Sequence, residues 1–333
     1  MHPALQGLLT IVIGVGGCVG YFYFSNLLLD KVIFPPKGKN IGRNINRANL
    51  IRPWLFLFPA LFALGLYLAY PVIETLRLSL TDRSQDGAFV GLANYRQMFG
   101  EPKFWEALRN NFLWLLIVPA GATAFGLLAA QLTDRIKWGN LAKSLIFMPM
   151  AISFVGAGVI WKLVYEARSA DVEQIGVLNA IYMAFGGVEP QTWLTIPIWN
   201  NFFLMVVLIW IQTGFAMVIL SAALRGIPEE TIEAAVIDGA NPFQIFFKIK
   251  VPQIMGTIVV VWTTVTLVVL KVFDIVFAMT NGQWETQVLA NYMFDKLFRA
   301  NDWGVGSASA MIIMLLVTPI LVWNVRTARK EMR

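Results

Sequence analysis

Among the 333 residues there is one cysteine, Cys18, and one histidine, His2. A single thiol excludes an intrachain disulfide and any zinc site built on cysteines. A single imidazole at the tip of the chain removes nucleophile–His–acid triads and His-ligated metal centres. Charge is scarce too. Asp, Glu, Lys and Arg make up 14% of the chain, too little to clothe a soluble protein of this length. No Gly-x-x-x-x-Gly-Lys-Ser/Thr loop occurs, so this chain does not itself bind ATP through a P-loop. Internal repeats and low-complexity tracts are also missing. The net charge of +6 could suggest a nucleic-acid partner, but the cations lie in loops beside apolar runs, where they set membrane orientation instead.

What the chain has in abundance is apolar sequence, at 57%. Several runs of about 20 residues are each long enough to cross a bilayer core. The composition therefore implies an all-α, polytopic membrane helix bundle. Seven spans are expected, at 8–29, 54–73, 111–132, 144–165, 199–222, 256–279 and 304–323. The first is longer than the apolar core of a signal peptide and no Lys or Arg precedes it, so it reads as a retained helix. The basic stretch 30–52 that follows places the N-terminus outside the cytoplasm. Alternation then gives sixteen Lys and Arg in the cytoplasmic segments against eight outside, with Lys162 and Lys271 inside spans. The C-terminus is expected inside. Trp54, Trp199, Trp303 and Trp323 fall at span ends, as interfacial anchors do. The segment 166–198 reads either as a cap on the bundle or as a solvated loop.

One polar stretch, 227–252, stands between two apolar runs and reads as two short helices and a turn. Pro228 suits a first helical position, and Glu229 and Glu230 suit the positive end of a helix dipole. Ile232, Ala235 and Val236 make a narrow apolar stripe. Gly239 fits a left-handed helix terminus. Asn241 and Pro242 restart a helix, Lys248 and Lys250 complement its end, and Pro252 stops it. A capped helix–turn–helix of this kind outside the membrane suggests a docking element.

The same stretch resembles the EAA loop of the inner-membrane permeases of bacterial ABC importers. That pattern is Glu-Ala-Ala, three residues, Gly, nine residues, Ile, any residue, Leu-Pro. Here it reads Glu233-Ala234-Ala235, Gly239, Ile249 and Val251-Pro252, with Val in place of Leu. Pro59-Ala60 to Tyr70-Pro71, then Gly91-Leu92-Ala93-Asn94-Tyr95 with Phe99, and Asp238-Gly239-Ala240 are similar to the carbohydrate branch. The chain looks most like the permeases of maltose and α-glucoside type that carry an extra N-terminal helix. The resemblance implies a six-helix permease core, 53–333, behind one N-terminal transmembrane helix and its linker, 1–52. It implies a coupling helix that sits in a groove of a cytoplasmic ATPase, with Glu233, Ala234, Ala235, Asp238, Gly239, Ile249 and Pro252 as the ATPase-coupling residues. It also implies a non-catalytic subunit of the bacterial inner membrane without a cofactor of its own. The partners it implies are a second homologous permease, two ATPase subunits that bind the ATP, a periplasmic sugar-binding protein and membrane lipids.

Polar groups inside spans are candidates for the substrate path. Lys271 and Asp274, three residues apart, are expected on one helix face in the outer half of their span. They read equally as a polar lining and as an ion pair whose Lys snorkels. Asn200, Asn201, Trp210 and Gln212 bring amides and an aromatic face to the span 199–222, chemistry that suits sugars and interhelical hydrogen bonding alike. A stand-alone secondary transporter or channel is the alternative. It would call for an inverted repeat and midplane ionisable groups, and neither is apparent. A non-transporting membrane scaffold would have no use for Lys271 and Asp274.

Overall fold

The computed structural model describes residues 3–36, 41–82, 87–134 and 136–331. His2, Lys37, Lys39, Arg83, Arg135 and Arg333, which entered the sequence reading, lie outside the described residues, as do the side chains of Arg329 and Lys330. The chain forms two compact units, Met1–Glu74 and Thr75–Arg333.

In the first unit, α1 (Pro3–Leu28) runs into a π turn at Leu29–Ile33. Helix α2 (Ile41–Leu64) passes through a second π turn, Gly65–Ala69, into α3 (Tyr70–Ser79), which crosses the unit boundary. The Arg52 guanidinium donates to both oxygens of Asp30 at 2.6 and 2.8 Å. Tyr21 Oη donates to the Leu55 carbonyl at 2.8 Å, and Phe22 meets Phe56 edge-on.

The second unit opens with a two-stranded antiparallel hairpin, β1 (Thr81–Asp82) and β2 (Ala88–Phe89). Then come α4 (Ala93–Gly100), α5 (Pro102–Thr133), α6 (Gly139–Phe147), α7 (Phe154–Val164), α8 (Val177–Ala184) and α9 (Trp199–Arg225). The chain continues through α10 (Glu229–Ile237), α11 (Pro242–Gln244), a π turn at Ile245–Lys250 and α12 (Val251–Gln253). Helices α13 (Met255–Val269), α14 (Asp274–Met279), α15 (Leu289–Phe294) and α16 (Trp303–Glu331) complete it. Three of the π turns end two residues before a proline, at Pro35, Pro71 and Pro252. A proline ring collides with the carbonyl four residues back, and a widened turn moves that carbonyl aside.

Helices α5 and α9 lie side by side and parallel, and with α13 they make the core. Trp114 donates to Asn201 at one end, and Ser221 donates to Asp134 at the other. Trp114, Val118, Leu204, Leu208, Met217, Val261 and Val265 are buried between them. Gly126 makes the approach possible, because a Cβ there would strike the Cβ of Ala216. A second cluster, Met98, Phe104, Tyr292 and Val305, ties α4, α5, α15 and α16 together.

Among the described residues, five helices are long and apolar enough to cross a membrane, and two bent pairs bring the number to seven if each is one span. The runs 8–29, 54–73, 111–132, 199–222 and 304–323 each fall on one of the five. The other two expected spans are not straight. The run 144–165 is divided between α6 with its 3₁₀ turn Met148–Ala151 and α7, bent by 105°. Pro149 sits in that turn, and the Ser153 hydroxyl caps α7 by accepting from the Gly156 N–H at 3.1 Å. The run 256–279 ends as a helix at Val269 and restarts at Asp274. Lys271 therefore lies in a break and Asp274 just after it, and the two do not share a helix face. The segment 166–198 is folded as a cap. Asn179 is fully buried and bonds the Glu166 and Gln191 carbonyls, and Trp193 packs edge-on against Tyr182 and Phe203.

Candidate functional site

The stretch 227–252 leaves α9 at Arg225 and turns back toward the bundle through α10, α11 and α12. Pro228 stands at the N-cap rather than the first helical turn, with Glu229 and Glu230 following it. The far end of α10 closes on Gly239. Its N–H bonds the Val236 carbonyl at 3.0 Å, and the Ala240 N–H bonds the Ala235 carbonyl at 2.9 Å. This pair of bonds is a Schellman closure, and it needs a left-handed residue, which Gly239 supplies at φ +80°. A Cβ on Gly239 would meet nothing within 4 Å. The requirement is thus for backbone conformation and not for space. Asn241 then caps α11, exchanging bonds of 2.9 Å with Gln244 in a capping box. The helix continues past Pro252 to Gln253 and bends by 71° into α13.

Two faces of this loop differ. Ile227, Ala235 and Ile245 are buried against their own chain, with Ile232, Ile249 and Lys250 half-buried. Ala235 therefore points inward, while Glu233, Ala234, Asp238, Gly239 and Pro252 are exposed. The outward face also carries large apolar side chains: Val236 at 58% exposure, Ile237 at 86%, Phe243 at 76% and Phe247 at 63%. Val236 belongs to that face and not to the inward stripe with Ile232. Ile237, Phe243 and Phe247 were missed in the motif, whose spacing records Glu, Ala and Gly but not the intervening side chains. An apolar face of this kind beside acidic residues has the composition of an interaction surface.

Both ends of the loop are tied to the end of α5. Asp134 accepts from Lys143 on α6 and, at 3.0 Å, from Ser221 on α9, and Arg225 lies 4.0 Å from it. Lys143 also donates to Ser221 at 2.7 Å. Lys250, at the far end, donates to Gln131 at 3.3 Å. No spacing in the sequence joins Asp134 to Ser221.

At the opposite end of the bundle a loop, 280–288, is held by side-chain amides. Asn110 donates to the Glu285 and Gln287 carbonyls, both at 2.8 Å, and the Leu289 N–H donates to Asn111 at 2.8 Å. Asn201 donates to the Glu285 carbonyl at 3.1 Å, and Asn200 to that of Trp284. Asn281, Trp284 and Glu285 all have positive φ there, a conformation that persists in non-glycine residues only when the surroundings fix it. Nearby, Glu101 accepts from Tyr292 at 2.8 Å and from Lys296 at 2.6 Å. Burial first, and then the Glu101 carboxylate, push the Tyr292 phenol well above its ordinary value.

Of the candidate path residues, Asn200 and Asn201 are thus buried with their amides bonded to that loop. Gln212, midway along α9, is 6% exposed and has no side-chain hydrogen bond among the described residues. Thr123 lies at a similar level on α5, since Gly121 faces Ile209 and Gly126 faces Ala216, and its buried hydroxyl has no partner. Trp210 meets Trp161 edge-on and lines a cavity of about 910 Å³ with Phe125, Trp138 and Ile209. Lys271 is exposed and Asp274 half-buried. The structure brings together neither Lys271 with Gln212 nor Asn201 with Gln212.

The sequence profile of the family described as "Binding-protein-dependent transport system inner membrane component" matches residues 122–330, which take in the loop 227–252 and its flanking helices. The chain belongs to this family. The permease is 65% identical to the alpha-glucoside transport system permease protein AglF of Rhizobium meliloti (strain 1021), over 99% of each chain. It is 49% identical to the osmoprotective compounds uptake permease protein GgtC of Synechocystis sp. (strain ATCC 27184 / PCC 6803 / Kazusa), over 83% of this chain and 99% of the other. In fold the permease is similar, at TM-score 0.72 and 19% identity, to a chain in the crystal structure of a bacterial ABC transporter involved in the import of alginate, covering 88% of this chain and 99% of that one. The protein is accordingly a multi-pass inner-membrane permease of a binding-protein-dependent ABC transporter, working with a periplasmic binding protein and ATPases. It is a non-catalytic component for which no cofactor is expected.

Proposed function

We propose that the permease carries α-glucosides, disaccharides of the maltose, sucrose and trehalose kind. The observation that supports this most is the 65% identity to AglF along 99% of both chains. It pairs with a second, homologous permease above two ATPase subunits, one of which binds the exposed face of α10 and α11. The N-terminus faces the periplasm and the C-terminus the cytoplasm, as the excess of Lys and Arg on the loop side favours. Residues 53–333 form the permease core, and residues 1–52 form an added transmembrane helix with its linker.

In this reading Glu233 makes the charged contact with the ATPase, Ala234 permits a close fit, and Ala235 seats α10 on its own bundle. Asp238 and Gly239 shape the turn, while Ile249 and Pro252 carry its movement into α13. ATP-driven closure of the ATPases moves the loop, and the bundle redirects its cavity; two sites then bias one pair of conformations. The sugar path runs at the level of Gln212 and Thr123. The Thr123 hydroxyl, buried without a partner, costs about 1–3 kcal/mol, and a sugar hydroxyl meets that need, with the unbonded Gln212 amide at the same level. Trp210 offers an aromatic face in the separate cavity that it lines with Phe125 and Trp138. Asn200, Asn201, Lys271 and Asp274 shape the path from its periplasmic end.

Uptake of radiolabelled maltose, sucrose and trehalose into a strain lacking the gene, with and without the gene restored, tests the cargo. Restored, ATP-dependent accumulation of at least one of the three is expected. Accumulation of none of them, with the transporter assembled in the membrane, overturns the α-glucoside assignment.

A further inference from the structure

The family match begins at residue 122, so it leaves the first unit unexplained, and that unit has a site of its own. A cavity of about 650 Å³ opens against α2, lined by Arg43, Asn46, Arg47, Leu50 and Ile51, with Phe34 at its edge. The five α2 positions recur at the spacing of one helix face. Their order along the axis also matters. Arg43, Asn46 and Arg47 come first, Leu50 and Ile51 follow, and the apolar run from Trp54 continues the series. From Arg43 to Ile51 the face covers about 12 Å at 1.5 Å per residue. Over that length it passes from cationic to aliphatic, the same order that an anionic phospholipid presents from phosphate to acyl chain.

Charge favours the same occupant. Asp30 and Glu74 are the only acids in residues 1–74, and the Asp30 carboxylate is engaged by Arg52 through two bonds. Arg43 and Arg47 are exposed and have neither ion pair nor hydrogen bond among the described residues. Two guanidinium groups one helical turn apart match the oxygens of a phosphate, which arginine binds through paired N–H donors. The Asn46 amide lies between them on the same face. Arg52 does not take part, because its guanidinium is already directed at Asp30.

We propose that this face of α2 is a binding site for one anionic phospholipid. Arg43, Asn46 and Arg47 hold the phosphate headgroup, and Leu50, Ile51 and Phe34 receive the start of an acyl chain. The site requires only that α2 enters a bilayer, and holds whichever side of the membrane its first turn occupies. It does not depend on which sugar is carried.

Native mass spectrometry of the purified transporter, titrated separately with phosphatidylglycerol, phosphatidylcholine and inorganic phosphate, tests this. The wild type is expected to retain phosphatidylglycerol in preference to phosphatidylcholine. A basic residue near an anionic headgroup contributes about 1 kcal/mol, so the double variant R43Q/R47Q should retain roughly 30-fold less. The variant R43K/R47K should keep most of the preference, and co-purification of the partner subunits verifies that both variants fold. Equal phosphatidylglycerol retention by wild type and R43Q/R47Q overturns the site. Equal retention of phosphatidylcholine overturns the headgroup assignment. Displacement of the lipid by millimolar inorganic phosphate overturns the lipid and leaves a free-anion site.

Discussion

At the scale of single residues, two positions carry consequences that can be measured. Gly239 adopts φ +80° in a place where a Cβ would touch nothing. The substitution Gly239→Val therefore adds no clash with a neighbour and strains only the backbone, by about 1–3 kcal/mol. Loss of sugar uptake is expected while the protein remains in the membrane; wild-type uptake by this variant would show that the turn is not needed for coupling. Tyr292 gives a pH dependence. Its phenol is raised above the ordinary value of 10.0 by burial and by Glu101. In the unfolded chain the phenol ionises near that ordinary value, while in the folded chain it stays protonated. The stability it contributes is complete below about pH 10 and is lost as pH rises past it. The melting temperature of the purified transporter should fall more steeply between pH 9.5 and 11, to a rough approximation, in the wild type than in Tyr292→Phe. Parallel curves for the two proteins would contradict this. Gly239 was legible from the sequence, because a glycine at the end of an apolar helical stripe has few other uses. Tyr292 was not, since its partner Glu101 lies 191 residues earlier in the chain.

At the scale of elements, the amide clamp on residues 280–288 explains how Trp284 and Glu285 keep positive φ. Asn110 alone satisfies two carbonyls. Replacing it by Ala leaves the Gln287 carbonyl without that donor, at about 1–3 kcal/mol, while Asn201 still serves the Glu285 carbonyl. Hydrogen exchange in 280–288 should then quicken by roughly 10-fold or more, at about 1.4 kcal/mol per decade, with the rest of α5 unchanged. Unaltered exchange would mean that Asn111, Asn200 and Asn201 suffice. The sequence made the place of the apolar runs readable, since a run of apolar side chains needs no partner to be recognised. Direction within a span was less readable. The 105° bend between α6 and α7 follows from Pro149 and the Ser153 cap, both visible locally but indistinguishable from a proline tolerated in a straight helix. The break at 270–273 has no proline or glycine to announce it. Asn200 and Asn201 looked like polar groups facing a path, and only the fold shows the loop 84 residues later that occupies them.

At the scale of the whole molecule, the two ends of the bundle are built for different purposes. One end is fixed by side-chain amides and a folded cap. The other carries a loop tied at its two roots to α5, through Asp134 and Gln131, with its outward face uncovered. This separation suits a protein in which a movement enters at one end and is felt at the other. The apolar part of that face tests the ATPase contact: Ile237→Asp places a charge at a side chain 86% exposed. Folding of the permease should be unaffected, and co-purification of the ATPase subunits should fall about 10-fold, equivalent to about 1.4 kcal/mol. Full retention of the ATPases would place their contact elsewhere on the loop.

The uncovered Val236, Ile237, Phe243 and Phe247 also bear on how cells make this protein. On the proposed docking of an ATPase at this face, a newly inserted copy that has not met its partner displays a greasy knob to water, and an orphan of that kind is a ready target for self-association or for surveillance proteases. Synthesis of the subunits in matched amounts is thus a demand written into the shape of one surface loop. An unbalanced supply would be corrected by destroying the surplus.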